Sequence, residues 1–196
     1  IVVRLVGSEM CIRDSDLIDG KDKFRVKQIW HWLYNKGETD FEKMSSISRE
    51  LRSALSQFYE IKRPTIQTHE KSVDGTQKWL FKLNDGNLIE TVFIPEENRG
   101  TLCVSSQVGC TLNCTFCYTG TQKLVRNLTS AEIVSQLLLA KDELSDWSHK
   151  HGRKISNVVF MGMGEPLYNY NNVKQASLFD IVIIIERLSH SHENNI

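Results

Sequence analysis

The sequence predicts an α/β protein: a small helical module and an antiparallel β section lead into a core of βα repeats. Three observations predict it. Apolar residues recur at helical spacing between residues 22 and 63. Short β-prone runs punctuated by Asp-Gly and Asn-Asp-Gly-Asn turns fill residues 65–100. After them come a strand, a cysteine-bearing loop, a helix, a second strand and a glycine-rich loop. That alternation places chemistry at the carboxyl ends of parallel strands.

Composition sets the outer limits. The chain has 196 residues, 40% hydrophobic and 24% charged, which suits one globular domain or one with an appendage. The formal net charge is zero, so bulk charge does not argue for a nucleic-acid partner, although a local basic patch could bind RNA. No apolar run reaches membrane-spanning length. Five cysteines, an odd number without signal-peptide architecture, argue against a disulfide framework and for a cytoplasmic address.

In order along the chain, residues 1–15 show no amphipathic period, and Cys11 reads as a stray thiol. From Phe24, the residues Val26, Ile29, Trp30 and Leu33 predict a helix stopped at Gly37. Lys21, Lys23, Arg25 and Lys27 cluster at its start, as a phosphate contact or equally as a solvated face. Ser48 is placed to cap a second helix carrying Leu51, Leu55 and Phe58, broken by Pro64. Ile66–Val73 and Gln77–Leu83 predict a hairpin turning on Asp74-Gly75. Leu88–Ile94 follows. Alternation there puts Glu90 on a face with Leu88, Val92 and Ile94. Glu90 is either a solvent-facing carboxylate or a proton acceptor aimed into a cavity.

Thr101–Ser106 is a short β-prone run containing Cys103, a core thiol or a redox-active one. It feeds Gln107-Val108-Gly109-Cys110-Thr111-Leu112-Asn113-Cys114-Thr115-Phe116-Cys117. Three thiolates in a C-x3-C-x2-C pattern would hold three irons of a [4Fe–4S] cluster and leave the fourth open to a ligand. Structural zinc would want four ligands, and the chain has one C-x2-C with no matching histidine pair. Thr129-Ser130-Ala131-Glu132 is a capping box opening a helix to about Trp147, with Ile133, Leu137, Leu138 and Leu144 mainly on one side. Lys154–Met161 reads as a buried strand and runs into Gly162-Met163-Gly164-Glu165-Pro166. Gly162 and Gly164 would let backbone approach a small ligand, and Glu165 would accept hydrogen bonds from an ammonium group.

The cysteine loop followed one βα unit later by this glycine-rich loop resembles the radical S-adenosylmethionine (SAM) superfamily. The stretches Phe24–Trp30, Ile89–Val92, Leu102–Cys110 and Phe160–Tyr170 narrow the resemblance to its dual-specificity 23S rRNA/tRNA adenine-C2 methyltransferases, over residues 21–176. The resemblance implies a partial TIM-like (βα) barrel, with a [4Fe–4S] cluster and SAM as cofactors. It implies Cys110, Cys114 and Cys117 as cluster ligands and Gly164 and Glu165 as SAM contacts. Glu90 becomes the proton acceptor. Cys103 becomes the thiol that resolves a protein–RNA crosslink by pairing with a late, methyl-carrying cysteine. The implied partners are 23S rRNA, tRNA and a flavodoxin-like electron donor, and the implied full-length state is a monomer.

No cysteine follows Cys117, and the motif-level resemblance ends near Ala176. The expected organisation is a leader at 1–20, a helical accessory domain at 21–64 and a β-hairpin section at 65–100. About two βα units of an incomplete barrel then span 101–176, with a tail at 177–196. On this reading the chain assembles a cluster but does not methylate RNA alone. Its last parallel strand has an open edge, and Ile181–Ile185 is an aggregation-prone segment. Weighed alternatives are a C8-specific rRNA adenine methyltransferase, a zinc-stabilised RNA-binding module and a small-molecule radical SAM enzyme such as a glycyl-radical activator.

Overall fold

A computed structural model describes residues 2–5, 23–97, 99–112, 114–147 and 153–177. Cys11, Lys21 and Ile181–Ile185 lie outside the described residues.

The helical module has a core of its own. Strand β1 (Val2–Leu5) precedes α1 (Lys23–Trp30), which continues through a π-helical turn, His31–Asn35, and stops at Gly37 as predicted. Helix α2 (Arg49–Phe58) starts at Ser48, whose Oγ accepts from the Leu51 N–H at 3.4 Å. Ile29, Leu33, Phe41, Met44, Ile47 and Ile61 are buried together, with Leu51 and Leu55 packed against them. Phe58, predicted on the inward stripe, is instead exposed. Two strands here were not foreseen: β1, within the expected leader, and β2 (Tyr59–Lys62), which pair antiparallel, Val2 against Lys62 through Leu5 against Tyr59. Four residues are too few for alternation to register above noise.

A five-stranded sheet carries the rest. It runs β3 (Thr65–Lys71), β4 (Gln77–Lys82), β5 (Leu88–Pro95) and β6 (Gly100–Cys103) as antiparallel neighbours. The first two connections differ in length from the expected turns, Asp74-Gly75 and Asn84-Asp85-Gly86-Asn87. Ser72 pairs with Thr76 and Leu83 with Asn87, leaving three-residue loops. Gly75 and Gly86 take φ +87° and +86° there, the bulged geometry such loops require. Past β6 the chain forms a small ribbon, β7 (Gln107–Val108) with β8 (Arg126–Asn127), that brackets the cysteine loop. Helix α3 (Ser130–Leu144) crosses over, and β9 (Asn157–Val159) returns parallel to β6. Helix α4 (Tyr170–Ser177) completes a second βα unit. Among the described residues, β3 and β9 are the two edges of the sheet.

Two boundaries correct the sequence reading. The strand expected over 154–161 shrinks to 157–159, because the Asp146 carboxylate takes the N–H groups of Lys154 and Ile155, both at 2.9 Å. Helix α3 ends at Leu144, three residues before Trp147, capped by Ser145 in the left-handed region (φ 54°). Its capping box forms as predicted.

The sheet has two unlike faces. Trp79, Phe81, Ile89, Phe93 and Leu102 are buried with Ile133, Val134 and Leu138 of α3 and with Val173 and Ala176 of α4. Each large apolar side chain so buried contributes about 1.5–3 kcal/mol. The other face bears Lys78, Leu80, Glu90, Val92 and Cys103, all partly or largely exposed. The helical module meets the core at Arg63. One guanidinium nitrogen donates to the Gly37 carbonyl at 2.8 Å and another pairs with Asp142, whose other oxygen accepts from the Trp147 indole at 2.8 Å. Burial pulls the Arg63 pKa down, offset in part by Glu38.

Candidate functional site

The site is built where β6 and β9 end. Beyond Cys103, the backbone of Val104–Gln107 is stitched to the glycine-rich loop. Gly162 N donates to Val104 O at 3.1 Å, and Ser106 N and Gln107 N donate to Met163 O at 2.8 and 3.2 Å. Three buried amide side chains lock this seam. Gln107 Oε1 accepts from Glu165 N at 3.0 Å and from Thr111 N at 3.4 Å, while its Nε2 donates to Asn127 Oδ1 at 2.8 Å. Gln136 of α3 accepts from Ser105 N at 2.8 Å and from the Thr91 hydroxyl at 2.9 Å, and donates to Ser105 O at 2.9 Å. Asn169 donates to Ser106 O at 2.7 Å and Leu128 O at 2.8 Å. The bonds of Gln136 and Asn169 are buried and those of Gln107 part-buried; a buried group left without its partner costs about 1–3 kcal/mol.

Gly164 sits against this lock. Its φ is +91°, and a Cβ there would lie 2.4 Å from Gln107 Cβ. Glycine is therefore required by both backbone and space. Glu165 follows, half-buried; its Oε1 accepts from Leu167 N at 3.0 Å and caps the short 3-10 turn Pro166–Asn169. A fixed carboxylate at the strand end results.

Glu90 and Cys103 lie on the open face of the sheet. Val92 stands directly opposite Cys103, and Glu90 is two residues along the same face. The Glu90 carbonyl accepts from Ser105 Oγ at 2.6 Å, and its carboxylate Oε1 is 2.8 Å from Lys78 Nζ. Burial pushes the half-buried Cys103 thiol up from its ordinary value. Strand register thus brings Glu90 and Cys103 to one surface beside the glycine-rich loop.

The cysteine loop is held more loosely. Cys110 Sγ accepts from Leu112 N at 3.3 Å, Cys117 N donates to Cys114 O at 3.2 Å, and Gly120 N donates to Cys117 O at 3.0 Å. Phe116 and Tyr118, on either side of Cys117, are 93% and 82% exposed. Cys110, Cys114 and Cys117 are free, half-buried thiols on one loop. Their sulfurs do not converge: among the described residues, no group of three or more His, Cys, Asp or Glu is gathered as a metal site. The donor chemistry fits an iron–sulfur cluster, since three reduced thiols on one loop can become thiolate ligands. The spacing named the ligand candidates and the strand-end carboxylate. It gave no role to Gln107, Gln136 or Asn169. A signal existed for Gln136: it is a lone amide in the largely apolar stretch Ile133–Ala140.

Arg126 braces the periphery. Its guanidinium forks onto Glu132 at 2.8 and 2.9 Å and reaches Asp85 through Nε at 2.7 Å, joining the β4–β5 loop to the start of α3. Burial pulls Glu132 up, but the hydrogen bonds from Arg126 and Thr129 outweigh it and leave the carboxyl below its usual range.

A β6–α3–β9 crossover with a cysteine loop after its first strand and a GxGEP loop after its second is the start of a radical SAM barrel. Comparison with known proteins agrees. A family model described as the ribosomal RNA large subunit methyltransferase N-terminal domain matches residues 18–61, and the radical SAM superfamily model matches residues 104–189. Curated relatives include the dual-specificity RNA methyltransferases RlmN of Rhizorhabdus wittichii, 54% identical over 85% of this chain and 42% of the relative, and of Parvibaculum lavamentivorans, 57% identical over 82% and 43%. The crystal structure of a radical SAM methyltransferase from Sphaerobacter thermophilus superposes with a TM-score of 0.69 at 38% identity, over 79% of this chain and 44% of that one. The chain belongs to the RlmN family of the radical SAM superfamily, and it spans under half the length of the curated relatives it matches. Membership implies a [4Fe–4S] cluster and SAM as cofactors.

Proposed function

We propose that this chain forms the first part of a radical SAM methyltransferase that places a methyl group on C2 of an adenosine in 23S rRNA and in tRNA. The observation that carries the reading is the seam itself. One buried side chain, Gln107, joins the three-cysteine loop to the loop carrying Gly164 and Glu165. The loop of the candidate metal ligands and the loop of the candidate SAM contacts are thereby tied to one side chain.

Adenine C2 is an electron-poor carbon and does not attack a sulfonium methyl. The bound cluster and SAM would supply a one-electron route around that limit. Cys110, Cys114 and Cys117 would hold the cluster. Gly164 would leave the backbone open to SAM, and the Glu165 carboxylate would offer an acceptor for an ammonium group. Glu90 would take the proton that C2 loses, a task within reach of a carboxylate positioned on the open sheet face. Cys103, on that same face, would act as the resolving thiol. The methyl-carrying cysteine of the family has no counterpart among this chain's five. A flavodoxin-like electron donor, a cytoplasmic setting and a monomeric complete enzyme belong to the same reading. None of the described helices is long and apolar enough to cross a membrane.

The test uses the complete gene product, reconstituted without oxygen and given 23S rRNA fragments or tRNA with SAM and a reductant. Mass spectrometry of the digested RNA is expected to show C2-methyladenosine. C8-methyladenosine would reassign the site, and a colourless protein with stoichiometric zinc would overturn the reading.

A further inference from the structure

The open sheet face does not look like a solvated one. An antiparallel face turned to water usually alternates in polar residues, yet this one carries Leu80, Leu88, Val92 and Ile94. Among them stand two acids, Glu70 and Glu90, and two bases, Lys78 and Lys82. Strand register shows how they meet. Lys78 opposes Val92 and Leu80 opposes Glu90, so Lys78 is the diagonal neighbour of Glu90 on the same face. Long side chains reach across such diagonals. The same register runs on through Val92 to Cys103 and from Cys103 to Val159. One transverse row, Glu70, Lys78, Val92, Cys103 and Val159, therefore crosses all five strands, and Lys78 leans out of it to Glu90.

Lys78 has a choice of acids. Glu70 stands directly opposite it on β3. The ammonium nevertheless lies 2.8 Å from Glu90 Oε1, at hydrogen-bond distance. We propose that Lys78 is the positioning residue for Glu90: its ammonium hydrogen-bonds the carboxylate and orients it along the open face toward the Cys103 row. The hydrogen bond to Glu90 also raises the Lys78 pKa, with burial opposing, so the lysine stays a cation. It does not itself take the substrate's proton. That proton goes onto a Glu90 oxygen, and Lys78 holds the oxygen where the proton leaves. This role rests on the proposed reading of Glu90 as proton acceptor.

The experiment measures methylated adenosine formed per SAM cleaved in the complete gene product, for Lys78→Met, Lys78→Arg and Glu90→Gln. Lys78→Met is expected to lower that ratio about tenfold, a part of the 10²–10⁴-fold typical of a positioned acid or base. Lys78→Arg keeps the charge and is expected to stay within about threefold of wild type. A Glu90→Gln enzyme that still methylates removes the proton-acceptor reading and this role with it. An inactive Glu90→Gln beside an unaffected Lys78→Met overturns the Lys78 role alone, as would Met and Arg variants equally impaired. In the 196-residue chain, lysine-ammonium NMR gives a check independent of turnover. A hydrogen-bonded Lys78 signal lost in Glu90→Gln supports the pair, and its absence in wild type contradicts it.

Discussion

The two loops that frame the site are built to different standards. The glycine-rich loop is clamped to the end of β6 by backbone bonds and by the buried amides of Gln107, Gln136 and Asn169. The cysteine loop, a few residues away, carries two of the most exposed aromatics in the described chain and three thiols that have not converged. On the proposed reading, one side of the site is organised by the protein and the other by the ligand it would bind. Metal sites commonly couple binding to ordering in this way, because bringing thiolates together without a cation is unfavourable. The contrast also separates what mutation should do on each side: stability changes on the clamped side and metal binding changes on the loose one.

The clamped side gives the largest stability effect. Gln136→Leu keeps the volume but strands Ser105 N, Ser105 O and the Thr91 hydroxyl, and is expected to cost about 3–5 kcal/mol. Urea unfolding checks it, and a loss near zero would mean the amide is not needed to hold the seam. Gly164→Ala should cost about 2–3 kcal/mol, from a strained backbone and the collision with Gln107. The same variant should weaken SAM binding more than iron loading, which separates the two loops directly.

A smaller effect lies at the brace beyond the clamp. Arg126→Met is expected to cost about 1 kcal/mol near neutral pH, since part of the fork faces solvent. Glu132 is depressed in the fold by Arg126 and Thr129 against burial, and Asp85 is depressed by Asn87 and Arg126, again against burial. A depressed carboxyl stabilises above its unfolded value and loses that contribution as pH falls through its folded one. The urea midpoint should therefore fall between about pH 5 and pH 2, with a shallower fall in Arg126→Met. Ser48→Ala, remote from both loops, should cost about 1 kcal/mol as a lost helix cap. It should leave iron binding untouched.

How much of this was legible beforehand follows from the range of each signal. Local patterns were readable: the Thr129–Glu132 capping box, the Ser48 cap, the face of Glu90 and the cysteine spacing all act over a few residues. The hairpin loops were placed but mis-sized. Gly75 and Gly86 signal a positive φ, whereas loop length is set by the pairing of Ser72 with Thr76 and Leu83 with Asn87. The partners of Gln107 and Gln136 were out of reach for a different reason. They lie as far as 58 residues away, and no local period encodes them. Lys78 shows the intermediate case: alternation gives its face, while its pairing with Glu90 rather than Glu70 needs the register.

The central claim is that the loose loop is completed by iron. The direct measurement is iron and sulfide content, with the low-temperature EPR spectrum, after oxygen-free loading of the chain and of its Cys110/Cys114/Cys117→Ala variant. The account predicts about four irons per chain and a reduced-cluster signal in the first and neither in the second. Iron retained without those three sulfurs, or none bound with them, would contradict it.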